Sequence, residues 1–293
     1  MSNFRIFLRL ARPLQLILAT ITYSLGAGIA HYLGRSIIIS VFALGLLVIL
    51  LIQVAAFWLV EYFRLPLTPL DKDEKPRYRE ALRTSLFQSA IALLTVSGAI
   101  IMTLIIARLL PQSAGILLGV IVIFFVGYSI PPMHLAEIGY GELVQAVALG
   151  TLFPALAFLL QFGGFHRLLT FITFPITLLA IAYLLVNDFP TFASDQKFRR
   201  KTLLTRLTWQ VAIPVHHFLV LLSFFFFATA PLLGIPEGII YPVFLALPFA
   251  LLEIIWLQRI AMGGRTLWKF IIPLAVTVFG LSAYLLALSI WIH

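Results

Sequence analysis

Cysteine is absent from the 293 residues, which excludes disulfides, thiolate nucleophiles and Cys-ligated zinc or iron-sulfur centres. Charge is scarce as well: Asp, Glu, Lys and Arg make up 11% of the chain against 62% hydrophobic residues, with a mean hydropathy of +1.08. Soluble domains carry about 25% charged residues, so this chain cannot cover its own apolar surface with polar groups. Amphipathic periodicity is also missing, because whole stretches of about twenty residues hold no charge at all. These absences exclude a water-soluble globular domain and make lipid the expected solvent. The first stretch, after Pro13, is too long and too poor in small-residue cleavage signals for a secretory signal peptide, and reads as a retained helix. No low-complexity tract or long linker interrupts the chain, so one transmembrane domain over residues 1–293 is expected.

What is present is a series of spans near residues 14–34, 37–62, 85–107, 114–133, 141–163, 168–187, 208–232, 237–258 and 270–292. Each is long enough to cross a hydrocarbon core of about 30 Å. The fold class predicted is therefore all-α, a polytopic membrane protein of about nine helices. The formal net charge of +9 would raise nucleic-acid binding in a soluble protein, but the distribution of charge gives it another meaning. Of the twenty Lys and Arg, only Arg35, Arg108 and Arg167 fall on one side of these spans. The positive-inside rule then puts the N-terminus and the heavily basic loops in the cytoplasm and the C-terminus outside, in a cell membrane. No nucleic-acid partner is expected.

Most carboxylates share the basic side: Glu61, Asp71, Asp73, Glu74, Glu80, Glu137, Glu142, Asp188 and Asp195, with only Glu237 clearly opposite. Two segments repeat a pattern, LVEYFRLPLTPLDKDEKPRYR (Leu59 to Arg79) after the second span and LVNDFPTFASDQKFRRKTL (Leu185 to Leu203) after the sixth. Both put a polar or acidic group directly after an apolar helix, then aromatics, proline, further carboxylates and a basic cluster. Carboxylates beside Lys and Arg at the rim of a bundle suit a magnesium-bound diphosphate: magnesium takes one or two carboxylates plus phosphate oxygens, and cations neutralise the rest. The plainer alternative is two cytoplasmic loops whose charges pair with each other and with anionic headgroups.

The pair resembles the two aspartate-rich loops of UbiA-type prenyltransferases, in the same order and after the corresponding helices. ARPLQL (Ala11 to Leu16) is similar to the family's lead into its first helix. YSIPPMHLAEIGYGELVQAVALG (Tyr128 to Gly150) resembles the YSxPPxRL and GxGEL segment of the menaquinone-pathway branch, and the second motif is similar down to Lys201, Thr202 and Leu203. The resemblance implies a UbiA-like bundle around a central cavity, with transfer of an isoprenyl group from a polyprenyl diphosphate to an acceptor, often an aromatic ring, as in quinone biosynthesis. It implies Mg2+ as cofactor, held by Glu61, Asn187, Asp188 and Asp195. Asp188, Asp195 and Tyr128 would be catalytic, and Arg77, Arg79, Lys197, Lys201 and His134 would contact the diphosphate. Departing diphosphate would leave an allylic cation, which an apolar bundle shields from water.

The first motif departs from the family pattern NDxxDxxxD, with Val60, Glu61, Arg64 and Thr68 at those positions. A cation at Arg64 repels a metal ion. In the second, Thr191 occupies a usual aspartate position, and His134 stands where the branch has a basic residue. These departures fit a rebuilt site with one magnesium on the second loop, an unusual acceptor or donor, or an impaired relative acting as a lipid-binding or scaffold protein. A transporter is a further alternative, disfavoured because the repeat has the same sense in both halves and the polar groups crowd one membrane face. His216 and His217 lie inside the seventh span; adjacent helical residues point about 100° apart, so buried hydrogen bonding is expected rather than joint chelation. Glu253 in the eighth span lies near the cytoplasmic end, within reach of water or Arg259, and a structural role is expected rather than a proton relay.

Overall fold

The computed structural model describes residues 3–64 and 76–293, with side chains from residues 5–64 and 80–293. Nine helices among the described residues are long and apolar enough to cross a bilayer: α1 (Pro13–Tyr32), α2 (Ile39–Phe63), α3 (Pro76–Ile106), α4 (Gln112–Ser129), α5 (Gly141–Phe162), α6 (Arg167–Asp188), α7 (Trp209–Thr229), α8 (Glu237–Ala261) and α9 (Trp268–Ile292). No strand occurs among the described residues. The protein is an all-α, multi-pass membrane protein. Apolar side chains such as Ile39, Ile106 and Leu232 are more than three-quarters exposed, which is tolerable only against lipid.

Inside the bilayer, apolar burial gives helices no preference for one another over lipid tails, so close packing and interhelical hydrogen bonds must hold the bundle. The helices α1, α5, α6 and α9 pack around one another at the centre, whereas α3 packs chiefly on α2 and turns most of its surface outward. Two glycines allow the closest approaches. A Cβ on Gly26 of α1 would collide with the backbone of Pro154 in α5, and one on Gly150 of α5 would collide with the backbone of Thr177 in α6. Hydroxyls join the same helices: Thr151 and Thr177 are 2.7 Å apart, Ser223 of α7 donates to the Pro175 carbonyl in α6 at 2.8 Å, and Tyr23 of α1 donates to the Phe42 carbonyl at 3.1 Å. Helix α5 carries a π-turn at Ala148–Leu152, directly before Pro154.

The helix before α1, Asn3–Leu10, docks Ile6 against Leu82, Leu86 and Trp58, while Arg5 stays exposed. Beyond α6 the chain differs from the expected loop. A 3-10 turn, Phe189–Thr191, leads into a further short helix, Phe192–Lys197. Pro190 does not stop it, because proline is accommodated at the start of a helical turn where its missing N–H has no partner to lose.

Candidate functional site

The ends of α1, α4, α5 and α6 on one face of the bundle enclose a cavity of about 380 Å³. Its polar lining comes from Arg12, Gln15, Tyr128, Glu142, Gln145 and Asp188, with Tyr183, Asn187, Thr191 and Arg200 beside them. Arg12 precedes α1 in a left-handed conformation (φ 51°), and its guanidinium lies 4.7 Å from the centre of the Phe57 ring. That contact is a cation–π pairing, which holds the charge at the cavity edge. Tyr128, at the end of α4, is 2% exposed, with its ring edge-on to Phe57 and Phe125.

The carboxyl groups of Asp188 and Glu142 are hydrogen-bond neighbours on the cavity wall. Glu142 Oε2 also accepts from the backbone N–H of Leu203 at 3.1 Å, at the start of the helix Leu203–Leu207, which Thr202 caps. Asp188 Oδ2, by contrast, has no hydrogen-bond partner among the described residues. Two adjacent acids with one free oxygen, beside Asn187 and open to a cavity, fit a divalent cation that takes its remaining ligands from a phosphate and water. No group of three or more His, Asp or Glu among the described residues forms a ready-made metal cage.

The other acids are engaged with arginine. Arg64 Nη1 lies 2.8 Å from Glu61 Oε2, and Arg64 Nε lies 3.4 Å from Glu137 Oε1. Arg200 Nε is 3.7 Å from the same Glu137 oxygen, and Arg200 Nη1 is 3.7 Å from Asp195 Oδ1. Thr191 Oγ1 completes the run by donating to Asp195 Oδ2 at 2.8 Å. Burial alone would lower the Arg200 guanidinium, but Glu137, Asp195 and Glu61 outweigh it and hold its pKa above the ordinary arginine value.

Of the residues singled out in the sequence, Tyr128, Asn187 and Asp188 come together on the cavity. Glu61 and Asp195, 5% and 4% exposed, belong to the arginine chain instead. His134 is half-buried near Phe63, and burial lowers its pKa against the opposing pull of Glu137, leaving the imidazole neutral at pH 7. Lys197 and Lys201 are exposed, Lys197 lying over the Phe198 ring at 5.7 Å. The side chains of Arg77 and Arg79, and all of Thr68, Asp71, Asp73, Glu74 and Lys75, lie outside the described residues.

Arg12, Gln15, Gln145 and Tyr183 were not singled out individually, Glu142 was given no role, and Arg200 counted only within the anion-binding basic cluster after the second motif. The signal for the glutamines was present, since an amide inside an apolar span is costly unless it meets a partner or a cavity. Gln53 and Gln145 meet across α2 and α5 at 3.4 Å, while Gln15 Oε1 and Gln145 Nε2 have no partner among the described residues. The expected reach of Glu253 to water or Arg259 is corrected. It is 1% exposed and bonds His216 Nε2 at 3.0 Å, and Arg259 lies instead over the Trp256 ring. Placing the carboxyl between α7 and α8, not at the water boundary, explains the difference. His216 and His217 face each other with Nδ1 atoms 3.2 Å apart.

No protein-family model matches the sequence, and no curated protein matches it. The fold, however, has solved counterparts. A UbiA homolog from Archaeoglobus fulgidus bound to GPP and Mg2+ superposes with a TM-score of 0.65 at 18% identity, covering 98% of each chain. The chain has the UbiA fold. The same A. fulgidus protein bound to DMAPP and Mg2+ gives 0.61 at 16% identity over 96% of this chain and 98% of that one. A UbiA homolog from Aeropyrum pernix K1 gives 0.57 at 12% identity over 94% and 97%. Near-complete coverage both ways means that the whole bundle, not one helix hairpin, is shared.

Proposed function

We propose that the protein is a membrane prenyltransferase of the UbiA superfamily, folded as one transmembrane domain over residues 1–293, that moves an isoprenyl group from a prenyl diphosphate to a small acceptor. The observation that carries this reading is the cavity wall itself. Adjacent Asp188 and Glu142 and the cations Arg12 and Arg200 all line one cavity of about 380 Å³, and one Asp188 oxygen has no hydrogen-bond partner among the described residues. Structural counterparts of this bundle hold GPP or DMAPP with Mg2+, which is the ligand chemistry such a wall would accept.

On this reading Asp188, Glu142 and Asn187 would hold a divalent ion, whose charge would stabilise the departing diphosphate. Arg12 binds the remaining phosphate oxygens, with Arg200 adding positive charge on the cavity rim. Exposed Lys197 and Lys201, with Arg77 and Arg79, supply positive potential for approach. Tyr128 presents its ring where the allylic cation forms, and the surrounding apolar helices exclude water. The acceptor forms the new bond to the allylic carbon and releases a proton. In the menaquinone-like reading the acceptor is aromatic and the product a quinone precursor. The mouth opens to the cytoplasm of a cell membrane, supported by the one-sided basic charge.

A second reading, a non-catalytic lipid-binding or scaffold protein, draws on the arginine pairing of Glu61, Glu137 and Asp195. Purified protein incubated with magnesium, labelled geranylgeranyl diphosphate and a panel of aromatic acceptors distinguishes the two. Labelled product that disappears in Asp188→Asn is expected; no product with any acceptor would favour the scaffold.

A further inference from the structure

In the loop chemistry of this protein, three acids and two arginines alternate in space: Glu61, Arg64, Glu137, Arg200, Asp195. The members come from three separate places in the chain, the end of α2, the link between α4 and α5, and the segment after α6. Each acid in the series has an arginine within 3.7 Å, and the arginine side chains are only 12% and 25% exposed. We propose that Arg64 and Arg200 are the resident cations of this mouth: they clasp the two motif segments together without a metal, and leave one divalent-ion position among the described residues, at Asp188 and Glu142.

This inference rests on the diphosphate reading above and adds how that ligand's metal is counted. A divalent ion between Glu61 and Asp195 would have to enter beside two guanidinium groups already paired with those carboxylates, Arg64 at 2.8 Å and Arg200 at 3.7 Å. It would face like-charge repulsion and leave the displaced arginines without their partners. Asp188 is in the opposite condition: it lines the cavity, and its Oδ2 has no hydrogen-bond partner among the described residues. Arg64 stands at a position where the resembling motif carries an aspartate, so one substitution both removes a ligand and supplies the charge that replaces the ion. Arg200 extends the series to the second motif through Glu137, which neither motif contains.

The test uses the full chain in lipid nanodiscs with an unreactive thiolo-diphosphate analogue of geranyl diphosphate. Bound Mn2+ is counted by the loss of the free-ion EPR signal, and melting is followed with and without EDTA. One Mn2+ per chain is expected, with affinity about tenfold or more weaker in Asp188→Asn and within about twofold of wild type in Asp195→Asn. Without the analogue, the melting temperature should be unchanged by EDTA and lowered in Arg64→Met whether or not Mg2+ is present. Two Mn2+ per chain, or an EDTA-induced fall in melting temperature matching that of Arg64→Met, would overturn the proposal. Failure of the analogue to bind at all would instead remove the transferase reading; the melting comparison then decides the clasp by itself.

Discussion

Replacing Asp188 by asparagine should stabilise the metal-free protein while abolishing its activity. The Asp188 and Glu142 carboxyls are hydrogen-bond neighbours, and neither is fully buried. Were both ionised, two unit charges about 4 Å apart would repel by about 4 kcal/mol at an effective dielectric constant of about 20, and a proton shared between the carboxyls removes much of this. The Arg200 guanidinium acts on Asp188 with the opposite sign, and cavity water screens the pair further. What remains is about 1–2 kcal/mol of repulsion, which an asparagine amide would convert into a donor to Glu142. Equilibrium unfolding in mixed micelles with EDTA should therefore show Asp188→Asn more stable than wild type by about 1–2 kcal/mol. Adding Mg2+ with diphosphate analogue should raise wild-type stability by mass action and leave the variant unmoved. Turnover should fall by about 100-fold or more, the usual loss when one electrostatic stabiliser of a reacting group is removed. A variant less stable than wild type in EDTA, or one that keeps its turnover, would refute the reasoning, because the repulsion would then not exist or would not serve the reaction.

Other consequences follow from buried pairs elsewhere. In a double-mutant cycle of Glu61→Gln and Arg64→Met, chemical denaturation should give a coupling energy of about 2 kcal/mol, since the pair is 2.8 Å apart and nearly buried; strictly additive single variants would mean that the pair is inert. His216→Leu should cost about 2–4 kcal/mol by leaving Glu253 buried without its 3.0 Å partner, and adding Glu253→Leu should recover most of the loss on the same denaturation assay. Burial lowers the His134 pKa, so the unfolded chain binds the proton more readily. Stability should then decline as pH falls below about 6.5, and His134→Gln should lose that part of the decline in melts from pH 7.5 to 5.

The spans were legible because lipid imposes a condition that each segment must meet alone. The stretch 14–34 corresponds to Pro13–Tyr32 and the stretch 141–163 to Gly141–Phe162, within a few residues. Pairing is another matter. An acid such as Glu137 reads identically in a sequence whether it is solvated, pairs with its own loop, or joins Arg64 and Arg200 from two distant segments. The aspartate motif drew attention to Asp195, yet the helical turn continuing past Pro190 puts Thr191 four residues before it, where the hydroxyl holds the carboxylate. Glu142, the acid of the GxGEL segment, stood in the resemblance without a role; its importance comes from Asp188, forty-six residues on and brought alongside by folding.

What brings them alongside is decided in mid-membrane rather than at the mouth. Glu142 begins α5 and Asp188 ends α6, so their separation follows the distance between the two helix axes. That distance is set where Gly150 allows Thr177 to approach the α5 backbone, and where Thr151 bonds Thr177 at 2.7 Å. Arg12 leads into α1, whose approach to α5 is set in the same way by Gly26 against Pro154. Bilayer helices gain little from apolar burial against one another, so these small-residue contacts determine the spacing of charges two or three turns away. The polar mouth thus inherits its geometry from glycines and threonines that never reach it, which is why a motif search that stops at the carboxylates finds the ligands and misses their frame.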